Sequence, residues 1–250
     1  MLSYSRQVSQ TSTLSKIVRA VRPTEKRPVS MTTSTPASAS GCSHSRSTTA
    51  ASRSTSRSGS PSATTPVAAH PVPNASGIPG VVEYVTTGWP QGSHNGPAAQ
   101  ALAHDHVTGP VTYSVTPPVG GQHNAAWMNC GIYDKPVPSE RAVHNLEHGA
   151  VWITYRPSLP QSEVNQLRAF VRKQALVSSA EGAPSRYMDL TPYPGLSSPV
   201  VISSWGFQLK VSSPTDPRLQ QFVNTFRASP KYSPEYGGAC TGGVGTPLQK

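Results

Sequence analysis

His144-Asn145-Leu146-Glu147-His148 sets two histidines four residues apart, with a glutamate between them. On a helix, positions i and i+4 project from one face, so both imidazoles could reach a single metal ion. Glu147, three residues after His144, could ligate that ion, orient a water or take a proton. Two imidazoles leave a metal under-coordinated, so a third ligand must come from elsewhere in the chain. His123 is the first choice, because Gly120 and Gly121 before it let the loop approach closely. His106 is the second; it faces the same way as His104 if that segment is extended. Three or four imidazoles would suit a divalent ion such as zinc, copper or nickel, with zinc or copper the expected cofactor.

H-x-x-E-H is also the pattern of inverted zinc proteases. A protease of that type takes a third ligand, usually a carboxylate, from a following helix, and here the next helix offers only Glu163 at its start. Gly149 also ends the motif helix at once. Three readings therefore stay open. The chain is a metal-binding domain, a metal-dependent hydrolase with Glu147 as its base, or a structural or interaction module. In the last case the histidines only hydrogen-bond the backbone of a loop-rich region. Cys130 and Cys240 lack C-x-x-C spacing. They form either one disulfide or two free thiols, or Cys130 is a soft ligand beside the histidines. Cys42 lies in the N-terminal region. The chain carries no P-loop, G-x-G-x-x-G or G-x-S-x-G pattern, so nucleotide binding and serine-hydrolase chemistry have no support.

These residues need elements to hold them. Val81–Tyr84 and Val111–Val115 read as short strands, and residues 120–138 as a long irregular stretch. Ser139 is the expected N-cap of a helix over Glu140–His148, with Gly149 at C′. Val151–Tyr155 is the strongest strand. Ser162 is expected to cap a helix reaching Val177. Tyr187–Thr191 and Pro199–Trp205 read as strands joined by a Pro-Tyr-Pro-Gly turn, and Phe207–Val211 extends the second or pairs with it. Asp216-Pro217 opens a last helix, with Leu219, Phe222, Val223 and Phe226 on its apolar face. The order strand, helix, strand, strand, helix implies an α+β fold: a single domain with a small mixed sheet and two to three helices.

Composition sets the expected limits of that domain. Residues 1–65 hold 18 Ser and 11 Thr, and Tyr4 is the only aromatic residue before Tyr84. Such a segment cannot bury enough apolar surface to offset the entropy of ordering it. The expectation is a disordered Ser/Thr/Arg-rich tail over 1–78, a folded domain over 79–242 and a flexible C-terminal tail over 243–250. Of 21 Lys/Arg and 11 Asp/Glu, nine and one fall in residues 1–80, leaving twelve and ten for the rest. The excess charge therefore lies outside the domain, and specific nucleic-acid binding is not expected. No stretch approaches the roughly eighteen apolar residues of a membrane span, and no signal peptide is recognisable at the N-terminus.

Thr116–His123, Cys130–Pro138 and Val143–Val151, with Leu190–Pro194 and Ser204-Trp205-Gly206 downstream, resemble the bacterial family of domain of unknown function 3105. The resemblance runs over roughly residues 80–240. It implies no established activity. It does imply a domain held outside the cytoplasm in the cell envelope, usually behind one N-terminal membrane segment that this chain does not show. An extracytoplasmic location would fit a Cys130–Cys240 disulfide.

Overall fold

Val151-Trp152-Ile153-Thr154-Tyr155 is buried along its whole length and on both faces. Side chains alternate across a strand, so a run that is apolar on both sides must have layers above and below it. The computed structural model describes residues 69–74, 76–86, 102–180 and 182–248. Within them the elements are β1 (Ala69–Val72), β2 (Val81–Thr86), α1 (Ser139–Glu147), β3 (Val151–Tyr155) and α2 (Gln161–Arg172). They continue with β4 (Met188–Pro192), β5 (Val200–Ser204), β6 (Phe207–Val211) and α3 (Arg218–Phe226). The strands form one mixed sheet in the order β1-β2-β6-β5-β3-β4. This is the α+β domain that the order of elements implied.

The two faces of the sheet have different cores. Val151, Ile153 and Tyr155 pack with Val164, Leu167 and Val171 of α2 and with Leu219, Phe222, Val223 and Phe226 of α3. Trp152 points the other way, into a cluster with Trp205, Leu102, Val119 and Ala142, Val143 and Leu146 of α1. Its indole N–H donates to Thr191 Oγ1 (3.0 Å), so the ring is buried without an orphaned donor. Helix α1 thus lies alone on one face, covered by the 102–119 loop segment. Its outer side is covered as well, since Ala142 to Glu147 are all buried.

Crossover helix α2 joins β3 to β4, and that pair is parallel, as the helix between them requires. The other pairings are antiparallel. β5 and β6 form a tight hairpin, with Gly206 at φ +76° in the turn. β4 and β5 are not neighbours: β3 lies between them, so the Pro-Tyr-Pro-Gly segment bridges across β3 instead of closing a hairpin.

Several boundaries differ from those expected. β1 falls within the expected tail: Ala69–Val72 pairs with β2 as an edge strand, where Pro71 is tolerated because one side of the strand needs no partner. Residues 1–68 and 75 of the expected tail lie outside the described residues. The expected C-terminal tail is pinned over 243–248, since Asn129 N–H donates to Val244 O (2.7 Å) and Leu248 N–H to Ile132 O (2.7 Å). Val111–Val115 is not a strand; Tyr113 and Val115 pack onto the Trp152 cluster from a loop. Pro138 and Pro160, not Ser139 and Ser162, occupy the N-cap positions, and their carbonyls accept the first N–H groups of α1 and α2. α2 stops at Arg172, and Val177 instead makes a two-bond bridge to Ser185. Pro217, not Asp216, occupies the N-cap position of α3, and Asp216 Oδ1 before it accepts from Arg218 N–H (2.9 Å). Among the described residues, no helix is long and apolar enough to cross a membrane.

Leu146 is fully buried and ties α1 to Trp152 and Trp205. Leu146→Ala should cost about 2–5 kcal/mol of stability, because it leaves a cavity that a tryptophan-walled site cannot close. A shift in the denaturant midpoint at unchanged slope would register this; a loss below about 1 kcal/mol would mean that α1 is not docked as described.

Candidate metal centre

One face of α1 carries His144, Glu147 and His148, which are 3%, 1% and 4% exposed. Three segments close over that face. Gly120 and Gly121, at φ +147° and +113°, carry the loop inward to His123, and a Cβ on Gly120 would come within 2.6 Å of Leu102. His106 runs alongside in a parallel bridge, with His123 N–H donating to Asp105 O and Val107 N–H to His123 O. From the C-terminal side come Glu235 and Ala239. Gly149 reverses the chain directly after the helix at φ +102°, which sends it into β3.

The hydrogen bonds of the rings decide where their protons sit. Nδ1 of His123 lies 2.8 Å from Gly121 O, Nδ1 of His144 2.7 Å from Asn124 O, and Nδ1 of His148 2.7 Å from Ala239 O. A carbonyl oxygen only accepts, so each Nδ1 must carry a proton, and in a neutral ring Nε2 is then a bare lone pair. The Nε2 atoms face one another and a carboxylate. His144 Nε2 and His148 Nε2 are 2.9 Å apart. His123 Nε2 is 2.8 Å from Glu147 Oε2, yet the alignment is not that of a hydrogen bond, and both buried atoms lack a hydrogen-bond partner. Backbone carbonyls holding Nδ1–H while Nε2 points to a common centre is how metal-binding histidines are held.

Two ligand groups result, each with donor atoms within 4.8 Å of one another. One is His106, His123, His144 and Glu147; the other is His144, His148 and Glu235. The His106 and His144 rings stack at 4.9 Å, and Trp127 lies 5.7 Å from His144 and 5.5 Å from His148. Burial pushes His144 down to about 3, against the opposing pull of the Asn124 carbonyl and with help from the neighbouring His148, His123 and His106. Its Nε2 is therefore unprotonated at neutral pH. Glu235 is held down at about 2, first by its pairing with His148 (Nε2 to Oε2, 3.4 Å), and is a full carboxylate. These His/Glu groups can hold a metal ion.

The family described as "Protein of unknown function (DUF3105)" matches residues 104–242. The chain belongs to this family. No curated protein and no solved structure is significantly similar to it. The match to DUF3105 begins at His104 and ends just beyond Cys240, so it spans both ligand groups.

Within this DUF3105 domain, all five site residues expected from the sequence (His106, His123, His144, Glu147 and His148) meet at one place. His104 joins neither ligand group. Glu163 lies on α2, which packs on the opposite face of the sheet, and is in neither group. Glu235 was not anticipated. Its signal was its position five residues before Cys240, because Cys130 and Cys240 are joined in a disulfide (Cα–Cα 5.2 Å) that brings the segment to α1. Cys130 is therefore neither a free thiol nor a ligand.

The disulfide stands directly behind the rings. Cys130 N–H donates to Cys240 O (2.8 Å), Ala239 next to it holds His148, and a Cβ on Gly238 would meet the His148 ring at 2.6 Å. A Cys130→Ser, Cys240→Ser chain should bind metal at least about tenfold more weakly, since the carbonyl orienting His148 loses its anchor. Titration against a competing chelator measures this, and an unchanged affinity would show that Ala239 needs no tether.

Asn145 fastens the site helix to the sheet. Its Oδ1 accepts from Met128 N–H (3.0 Å), and its amide donates to Asp189 Oδ2 (2.6 Å), while Asp189 Oδ1 accepts from Gly131 N–H (3.1 Å). Burial pushes Asp189 up from 3.8 to about 7, against those two donors. A raised pKa means that the folded state holds the proton more tightly. The stabilising contribution is complete below about 3.8 and is lost as pH rises through about 7. Asp189→Asn should remove this component. The stability of the wild type relative to the variant should therefore fall between those two pH values, and parallel curves from denaturant titrations would refute it.

Proposed function

We propose that this domain binds a divalent metal ion, zinc or copper, at His106, His123, His144 and Glu147, with His148 and Glu235 adjoining. The observation that carries this reading is the convergence of lone pairs. Buried His123 Nε2 lies 2.8 Å from buried Glu147 Oε2 and neither has a hydrogen-bond partner, while the Nε2 atoms of His144 and His148 lie 2.9 Å apart beside them. A buried acceptor left unpaired costs about 1–3 kcal/mol, which a cation bound between the two would remove. Three imidazoles and one carboxylate are a donor set that zinc and copper(II) accept. Histidines serving only as structural props would end in complementary donors and acceptors, which the His123–Glu147 contact does not.

Glu147 reads as a ligand and not as a base. Its Oε2 is buried and directed at His123, so it stands among the donors instead of facing a substrate. The hydrolase reading loses its base in this way. An extracytoplasmic location is part of the proposal and is supported by the disulfide, which persists in oxidising compartments.

In the absence of metal, protons are the only cations that can separate these lone pairs, so metal and protons compete. Zinc added at about a hundred times its Kd should stabilise the full chain by about 2.7 kcal/mol, visible as a raised Tm. His123→Ala and His144→Ala should each abolish the shift, while His70→Ala, on the edge strand β1, should keep it. A wild-type Tm that responds neither to chelator nor to zinc or copper would end the metal reading.

A further inference from the structure

His144 belongs to both ligand groups, and it has one lone pair to offer. Its Nδ1 is committed to Asn124 O, so only Nε2 can ligate, and an Nε2 binds one ion at a time. The two groups therefore cannot both hold His144. They differ in access. Beyond His144 the inner group has His123 and Glu147, 0% and 1% exposed, with His106 at its rim. The outer group has His148 and Glu235, whose carboxylate is 43% exposed. His144 Nε2 is turned to the outer group, 2.9 Å from His148 Nε2, and that ring's Nε2 is 3.4 Å from Glu235 Oε2.

Resting on the metal-binding reading above, we infer that His148 and Glu235 form a loading position, from which an ion passes to the buried group by exchange at His144. Glu235 supplies an exposed negative charge beside His148, and such a charge raises the local concentration of cations. His148 is the next donor inward. His144 holds the ion in both positions, so the ion never has to give up all its protein ligands at once. The final position gains the buried Glu147 carboxylate, whose charge is least screened by water and so binds most strongly. The centre is then built for exchange with a donor or acceptor of the ion, and it differs in this from a permanently closed structural site.

The test follows cobalt(II) in stopped flow, by its ligand-field absorption, on the full chain and on Glu235→Gln. The side chain of Glu235 is partly exposed and its backbone N–H bond to Glu147 O survives the substitution, so the variant keeps its fold. Loading should slow by about tenfold. Release to excess chelator should slow as well, because a route that speeds uptake speeds escape by the same factor. That sign separates the two roles: loss of a mere ligand would speed release. His148→Ala should also load more slowly. Direct access past His106 is the rival route, and in that case His106→Ala alone would slow loading. Faster release from Glu235→Gln, loading at the wild-type rate, or two ions bound together at saturation would each overturn the inference while leaving the metal site standing. A wild type that takes up no cobalt would overturn both.

Discussion

Helix α1 is buried on every side, yet one of its faces is made of imidazoles and a carboxylate. Everything around it can be understood as a response to that constraint. Its apolar residues, Val143 and Leu146, meet Trp152 and Trp205 in the way any amphipathic helix meets a sheet. Its polar face cannot be left in contact with apolar atoms, and water does not cover it. Backbone carbonyls of Gly121, Asn124 and Ala239 take the Nδ1 protons, and the Nε2 lone pairs are left to face each other.

The same constraint explains why so much irregular chain is gathered on this side of the sheet. The loop of residues 102–124 and the segment of residues 233–245 are poor in regular structure, but they supply carbonyls at set positions. Regular strands would have spent those carbonyls on ladder bonds. Two ties keep the loops in place. The disulfide holds the C-terminal segment, and Asn145 with Asp189 holds residues 128–131 against α1 and β4. Asn145 is therefore as much a part of the centre as the histidines on either side of it, although it would touch no ion. The two helices on the other face, α2 and α3, bury most of the apolar area and take no part in this chemistry.

Much of this was legible in the sequence, for reasons that are local. The i, i+4 spacing of His144 and His148 and the glycine after them specify a short helix with two rings on one face. The run Val151–Tyr155 and the apolar periodicity of 219–226 specify a buried strand and a docked helix. Two glycines before His123 mark a close approach of backbone. The sequence was misleading where a tertiary partner outweighed local propensity. Val111–Val115 alternates like a strand but pairs with none, and Tyr113 and Val115 pack onto the Trp152 cluster from a loop. Ala69–Val72 looks like the end of a polar tail and becomes a strand because β2 offers it an edge.

The sequence by itself determined which residue types could form a centre and the helix that carries three of them. It did not determine the tautomers. For His144 and His148 those depend on carbonyls 2.7 Å from Nδ1 that come from 20 residues upstream and 91 residues downstream. Nor did it identify Glu235, which carries no motif and enters the centre only because the Cys130–Cys240 link and the Tyr187 hydroxyl, bonded to Gly238 O, hold its segment there. Spacing along a helix is local geometry, and a sequence records it directly. The direction of a lone pair is set by contacts between distant segments, and only the folded chain decides it.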